Sequence, residues 1–247
     1  MFKYVLKRIA LMLMVFLIII SLCFVLVKLL PNKPAEQYGK DMALIEMRRE
    51  ALGYNKPLIE QYGIFLQRTL LGGDWGVSEV LYLGRNVWDV FMEKMPATIA
   101  VNLYTMIFAV PIGLVLGIYA ALRKNKWQDH FISTAVMVFV SVPSYVYAFL
   151  VQYFLCFKLQ WFPFQINSGT NYFTWSMFVS MVPAVLSLGF GTIAGLARYT
   201  RAELTEVLTS DYLLLARTKG LSRGETTVRH ALRNAMVPIF PMILGEV

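Results

Sequence analysis

Of the 247 residues, 57% are hydrophobic and only 15% are charged, well below the roughly 25% charge of a soluble domain, so the composition points to a membrane-embedded chain and excludes an ordinary soluble fold. The formal net charge of +8 does not signal nucleic acid, because the Lys and Arg residues flank apolar runs instead of clustering on a polar surface. Cys23 and Cys156 lie inside apolar runs, where they act as small hydrophobes and predict neither a disulfide nor a metal site.

A helix rising about 1.5 Å per residue needs about 20 apolar residues to cross a hydrocarbon core of about 30 Å. The first such run, Ile9–Leu30, follows Lys3, Lys7 and Arg8; it is longer than a signal-peptide core and lacks a small-x-small cleavage site, so it reads as a retained span. With its flank it forms segment 1–30. Segment 31–96 mixes eight Lys/Arg with nine Asp/Glu and reads as an extracytoplasmic subdomain, because long loops translocate largely regardless of charge. Within a core domain of 97–247, three further runs reach spanning length: Ala97–Leu122, Phe131–Phe157 and Met177–Ala197. A fifth run, Ala235–Val247, has 13 residues, about 20 Å of helix, so the sequence is expected to end inside a span.

Basic flanks set the orientation. Lys3, Lys7 and Arg8 before the first span, and Arg123, Lys124 and Lys126 after the second, belong on the cytoplasmic side, which puts the N-terminus inside. The connection 198–234 is rich in arginine and also falls inside. Pro111, Pro143 and Pro183 interrupt the spans, and Gly113-x-x-x-Gly117 and Gly191-x-x-x-Gly195 place small residues one turn apart, a spacing that lets two helix backbones approach closely in lipid. These four glycines are the candidates for helix packing. Nothing in the sequence reads as catalytic: His130 and His230 have no Cys or carboxylate at metal-ligand spacing, and no glycine-rich phosphate loop is present.

The connection 198–234 carries two helix signatures. Ser210 and Asp211 offer N-cap oxygens for a helix over Tyr212–Lys219, and Gly220 can adopt the left-handed conformation that ends it. Ser222-Arg223-Gly224-Glu225 then has the S-x-x-E spacing of a capping box. On the first helix, Leu213, Ala216 and Gly220 share one stripe, a small apolar face suited to a groove on another protein.

The run Asp211-Tyr212-Leu213-Leu214-Leu215-Ala216-Arg217-Thr218-Lys219-Gly220-Leu221-Ser222, followed by Arg229-His230-Ala231-Leu232-Arg233-Asn234-Ala235 and Pro238, resembles the conserved loop of ABC importer permeases in their dipeptide/oligopeptide/nickel branch. Leu214, Leu215 and Ala216 fall at the E-A-A positions of the general E-A-A-x-x-x-G pattern, so the last alanine and Gly220 are kept and the glutamate is absent. Leu52-Gly53-Tyr54-Asn55-Lys56-Pro57-Leu58, Gly73-Asp74-Trp75-Gly76-Val77-Ser78, Ser141-Val142-Pro143-Ser144 and Leu196-Ala197-Arg198-Tyr199-Thr200-Arg201-Ala202 are similar to other parts of the same permeases.

The resemblance implies an all-α membrane protein with the type I ABC importer transmembrane fold, a bundle of six spans of which four and part of a fifth are present here. It implies that Leu213, Leu214, Leu215, Ala216, Arg217, Lys219, Gly220, Leu221 and Ser222 form a loop that docks on a cytoplasmic ATPase. The implied partners are a second homologous permease subunit, two ATPase subunits that bind ATP and Mg, and an extracytoplasmic peptide-binding protein, with the lipid bilayer as solvent. The implied cargo is a dipeptide or oligopeptide, with a nickel chelate or another small solute as the alternative. A secondary transporter is the rival class; it would place ionisable residues deep within its spans, and the four complete spans contain none between their flanks, which leaves only Glu246 near the end of the sequence as a candidate.

Overall fold

The computed structural model describes residues 2–29, 47, 50, 53–78, 81–82 and 84–245. Glu246 and the first part of the expected extracytoplasmic subdomain lie outside the described residues. Regular structure among the described residues is helical, with one isolated bridge between Val77 and Asn86, and the chain divides into two compact units, Met1–Met95 and Pro96–Val247.

The first unit begins with α1 (Phe2–Leu29), which is apolar on every face, as a lipid-facing helix is. Its buried side chains are Ile20 and Phe24, and they mark where α2 (Leu58–Leu66), widening into a π-helical turn at Gln67–Leu71, packs against it. The Phe24 ring lies 5.3 Å from that of Tyr62 and 5.1 Å from that of Phe65, and the Ser21 and Tyr62 hydroxyls are hydrogen-bonded. After α2 the Arg68 guanidinium grips the Asp74 carboxylate, with Nε donating at 3.0 Å, while the other Asp74 oxygen accepts from the Gly76 N–H at 2.9 Å. The helix α3 (Val87–Leu122) then starts from Asn86, whose Oδ1 accepts from the Trp88 N–H at 2.8 Å, the N-cap arrangement that satisfies one orphan donor. It runs unbroken through Pro96 and Pro111, so the apolar run expected from Ala97 begins ten residues inside a longer helix.

The second unit is built around α6 (Trp175–Leu208), which continues eleven residues past the expected end at Ala197. Against it lie α3, α4 (Trp127–Ser141), and α5 (Ser144–Val151) with its π-helical extension Gln152–Lys158. The third expected span is therefore not one straight helix: α4 and α5 meet at 96°. Val142 and Pro143 are both extended, with ψ of 126° and 145°. Proline lacks the N–H that would continue the ladder and drives its predecessor out of the helical region. The bend is held by side chains, since the Tyr147 hydroxyl donates to the Phe139 carbonyl at 2.8 Å and both rings pack on Phe190 of α6. Among the described residues three helices, α1, α3 and α6, are long and apolar enough to cross a membrane, and the α4–α5 pair makes a fourth if counted as one broken span.

Candidate functional site

The glycines show how closely α3 and α6 approach. A Cβ built on Gly113 would stand 2.8 Å from Cβ of Leu196, and one on Gly117 would stand 2.6 Å from Cβ of Thr200 and 2.7 Å from the Ala197 carbonyl oxygen. The second glycine pair differs. Among the described residues a Cβ at Gly191 meets nothing within 4 Å, and one at Gly195 reaches only the end of Met242 at 3.8 Å, so the close approach expected at Gly191 is not made among them.

Beyond α6 the chain turns at Thr209 and Ser210 into α7 (Asp211–Thr218). The Ser210 hydroxyl does not cap α7 as its position suggests: it donates backwards to the Val207 carbonyl at 2.6 Å, and Asp211 already belongs to the first turn. Leu213 is 1% exposed and joins Ala121, Leu204, Ala231, Ala235 and Ile239 in one buried cluster. This corrects the expected docking stripe. Leu213 anchors α7 to its own subunit, Ala216 beside it is half-buried, and the free apolar surface consists of Tyr212, Leu214 and Leu215, the two leucines being 62% and 57% exposed. A stripe read from i, i+3, i+7 spacing gives a face but not which neighbour it meets.

The corner after α7 follows its residues closely. Gly220 has φ of +89°, and the Leu221 N–H bonds the Ala216 carbonyl at 3.4 Å, the longer bond of a Schellman closure, which needs a left-handed residue at this point. Ser222 and Glu225 then form the reciprocal cap: the Glu225 N–H donates to the Ser222 hydroxyl oxygen at 3.2 Å, and the Ser222 N–H and hydroxyl donate to the Glu225 carboxylate at 3.2 and 2.8 Å. These bonds, the hydroxyl foremost, hold the Glu225 carboxyl below the usual carboxylate range. The helix that starts here runs as a single turn Arg223–Glu225, a π-helical stretch Thr226–Leu232 and α8 (Arg233–Gly245). Lys219 and Ser222 are exposed and Leu221 half-buried. The Arg217 backbone lies on α7, and its side chain is outside what the structure describes.

One further element of this end of the bundle has no signature in the sequence. Asp129, in the first turn of α4, is 1% exposed and accepts a two-pronged grip from Arg201 of α6, with Nη2 at 2.7 Å from Oδ2 and Nε on Oδ1. The Asn125 N–H adds a bond at 2.9 Å and the Ser133 hydroxyl one at 3.3 Å. Asn125 reaches this position through φ of +63°, a conformation asparagine tolerates better than most side chains. The partners are 72 residues apart, a separation that no local pattern announces. Among the described residues no group of three or more His, Cys, Asp or Glu side chains is placed to hold a metal ion.

Two family descriptions match the chain. Residues 113–246 match the binding-protein-dependent transport system inner membrane component, and residues 1–102 match the N-terminal part of such membrane components. Among curated proteins, the chain is 32% identical over 243 residues to the dipeptide transport system permease protein DppB of Lactococcus lactis subsp. cremoris, covering 98% of this chain and 77% of that one. It is 33% identical over 242 residues to DppB of Bacillus subtilis, covering 98% and 75%. It is also 32% identical over 246 residues to the glutathione transport system permease protein GsiC of Escherichia coli strain K12, covering 98% and 77%. With the family matched over residues 113–246 and permeases aligned over nearly the whole length of the chain, the protein belongs to the inner-membrane permease components of binding-protein-dependent ABC importers.

Proposed function

We propose that this permease carries short peptides and couples their passage to ATP hydrolysis through the segment Asp211–Ser222. The observation that carries the coupling reading is the exposed Tyr212, Leu214 and Leu215 surface on a helix whose other side is anchored by Leu213. An apolar surface on a short polar connection is costly in water and suits a groove on a partner. The left-handed Gly220 and the Ser222–Glu225 cap fix the angle at which the next helix leaves. The names of the aligned relatives, dipeptide and glutathione permeases, support a cargo of two or three residues.

In this reading the N-terminus and residues 198–234 face the cytoplasm. A second permease subunit completes the pathway, two ATPase subunits dock below it, and a binding protein delivers peptide from outside. The test is Leu215→Glu in the assembled complex: the variant reaches the membrane, while ATPase association and uptake of labelled dipeptide fall together. Normal uptake and normal association would refute the docking surface. Competition of that uptake by unlabelled di- and tripeptides, against nickel chelates, tests the cargo.

A further inference from the structure

We propose that Asp129 and Arg201 are a positioning pair that locks α4 to the end of α6 leading into α7, so that half of the broken span and the docking helix move as one body. The inference rests in part on the coupling reading above. Asp129 makes four hydrogen bonds at 1% exposure, which occupy the acceptor sites of both oxygens. A joint held in this way does not slide gradually. Withdrawing Arg201 leaves a buried carboxylate without its cation, so the joint is either fully made or broken. The planar fork of arginine also fixes rotation as well as distance, which a hydrophobic contact between the same helices would not do.

The surroundings carry the constraint in both directions. Leu204, one turn past Arg201 and fully buried, packs with Leu213 of α7 and Ala121 at the end of α3. On the other side, α4 lies on α6 through Val136, Ala194 and Ala197, and α5 is tied to the same helix through Tyr147 and Phe190. A displacement of α7 is thus passed by Leu213 and Leu204 to α6, and by Arg201 to α4. Packing alone gives contact between these helices; the ion pair gives register.

The test uses the complete complex with both permeases, the ATPases and the binding protein in nanodiscs. Spin labels replace the exposed Lys126 and Glu206, one on each side of the joint, after Cys23 and Cys156 are changed to Ala. The expected result is a narrow Lys126–Glu206 distance distribution, the same without nucleotide and with bound ATP. Arg201→Lys keeps the charge and loses the fork; it broadens the distribution and lowers peptide-stimulated ATP hydrolysis roughly fivefold or more, while basal hydrolysis continues. The exchange Asp129→Arg with Arg201→Asp restores part of both, which a general loss of folding would not allow. A distance that shifts with nucleotide in the unaltered pair overturns the proposal, as does an Arg201→Lys complex with unchanged distances and stimulation. If Leu215→Glu leaves ATPase association intact while the Lys126–Glu206 distance stays fixed, the docking surface falls and the rigid joint stands.

Discussion

Gly117 of α3 and Thr200 of α6 meet so closely that a methyl group on the glycine would lie 2.6 Å from the threonine Cβ and 2.7 Å from the Ala197 carbonyl. The Ala197 carbonyl is backbone and cannot rotate away. Gly117→Ala gains up to about 1 kcal/mol in helix propensity but loses about 1–3 kcal/mol to overpacking, so the net effect is destabilising. Gly191→Ala, with open space around its Cβ position, keeps the propensity gain. Thermal unfolding of the purified subunit in detergent should therefore rank Gly191→Ala above the parent and Gly117→Ala below it. The reverse order would mean that the α3–α6 approach is not as close as described.

How much of this was legible in the sequence depended on whether the signal is local. Gly220 and the Ser222–Glu225 spacing announced a corner and a cap, because each is a property of four or five neighbouring residues. The sequence places Leu213 on an apolar stripe, yet the direction of that stripe is set by Ala121, Leu204 and Ala231, which only the folded bundle brings to it. Prolines behaved differently from one another for a similar reason. Pro96, Pro111 and Pro183 stay inside helices, while Pro143 breaks one, and the Tyr147 and Phe139 contacts that hold the bend lie on both sides of it. The ion pair of Asp129 and Arg201 had no local signature. The apolar run ending at Ala197 understates α6, which continues to Leu208, so by sequence Arg201 falls in the polar connection, whereas in the structure it lies on the helix.

Leu213 and Leu215, two residues apart on α7, should separate stability from docking. Leu213→Ala empties a buried site and costs about 2–5 kcal/mol, lowering the unfolding temperature of the isolated subunit. Leu215→Ala removes only an exposed side chain, so stability stays within about 0.5 kcal/mol while ATPase affinity falls by about 1 kcal/mol or more if it is a central contact. Melting curves and ATPase titration on the two variants check this, and equal effects on both measurements would remove the division of faces.

Asp74 makes the loop after α2 acid-sensitive. The Arg68 guanidinium, followed by the Gly76 N–H, holds its carboxyl below the usual carboxylate range. A carboxylate with a lowered folded pKa contributes stability above its unfolded value, and that contribution is lost as pH falls through the lowered value. Trp75, stacked on Trp88 at 6.3 Å, reports on the loop. Its emission should change reversibly as pH falls below about 4, and Asp74→Asn should show the low-pH emission at every pH. A wild-type spectrum from Asp74→Asn at neutral pH would show that the carboxylate does not order this loop.

The corner at Gly220 permits the sharpest test, because space and backbone conformation can be separated there. A Cβ at Gly220 meets nothing within 4 Å, so a substitution is penalised only through φ of +89°. A left-handed conformation costs an ordinary L-residue about 1–2 kcal/mol, asparagine less, and a β-branched residue most. The expected order of function is therefore Gly, then Asn, then Ala, then Val, although side-chain size would place Ala ahead of Asn. The neighbouring cap gives a second scale: Ser222→Ala loses about 1 kcal/mol, whereas Glu225→Gln keeps an acceptor that suits a capping box and loses less. Peptide uptake by vesicles containing each variant, with tryptic cleavage after the exposed Lys219 as a measure of local opening, reads both scales. Cleavage should speed up in the same order in which uptake falls. An order that follows side-chain volume instead, with Ala better than Asn, would show that the left-handed turn is not what holds the second helix in place.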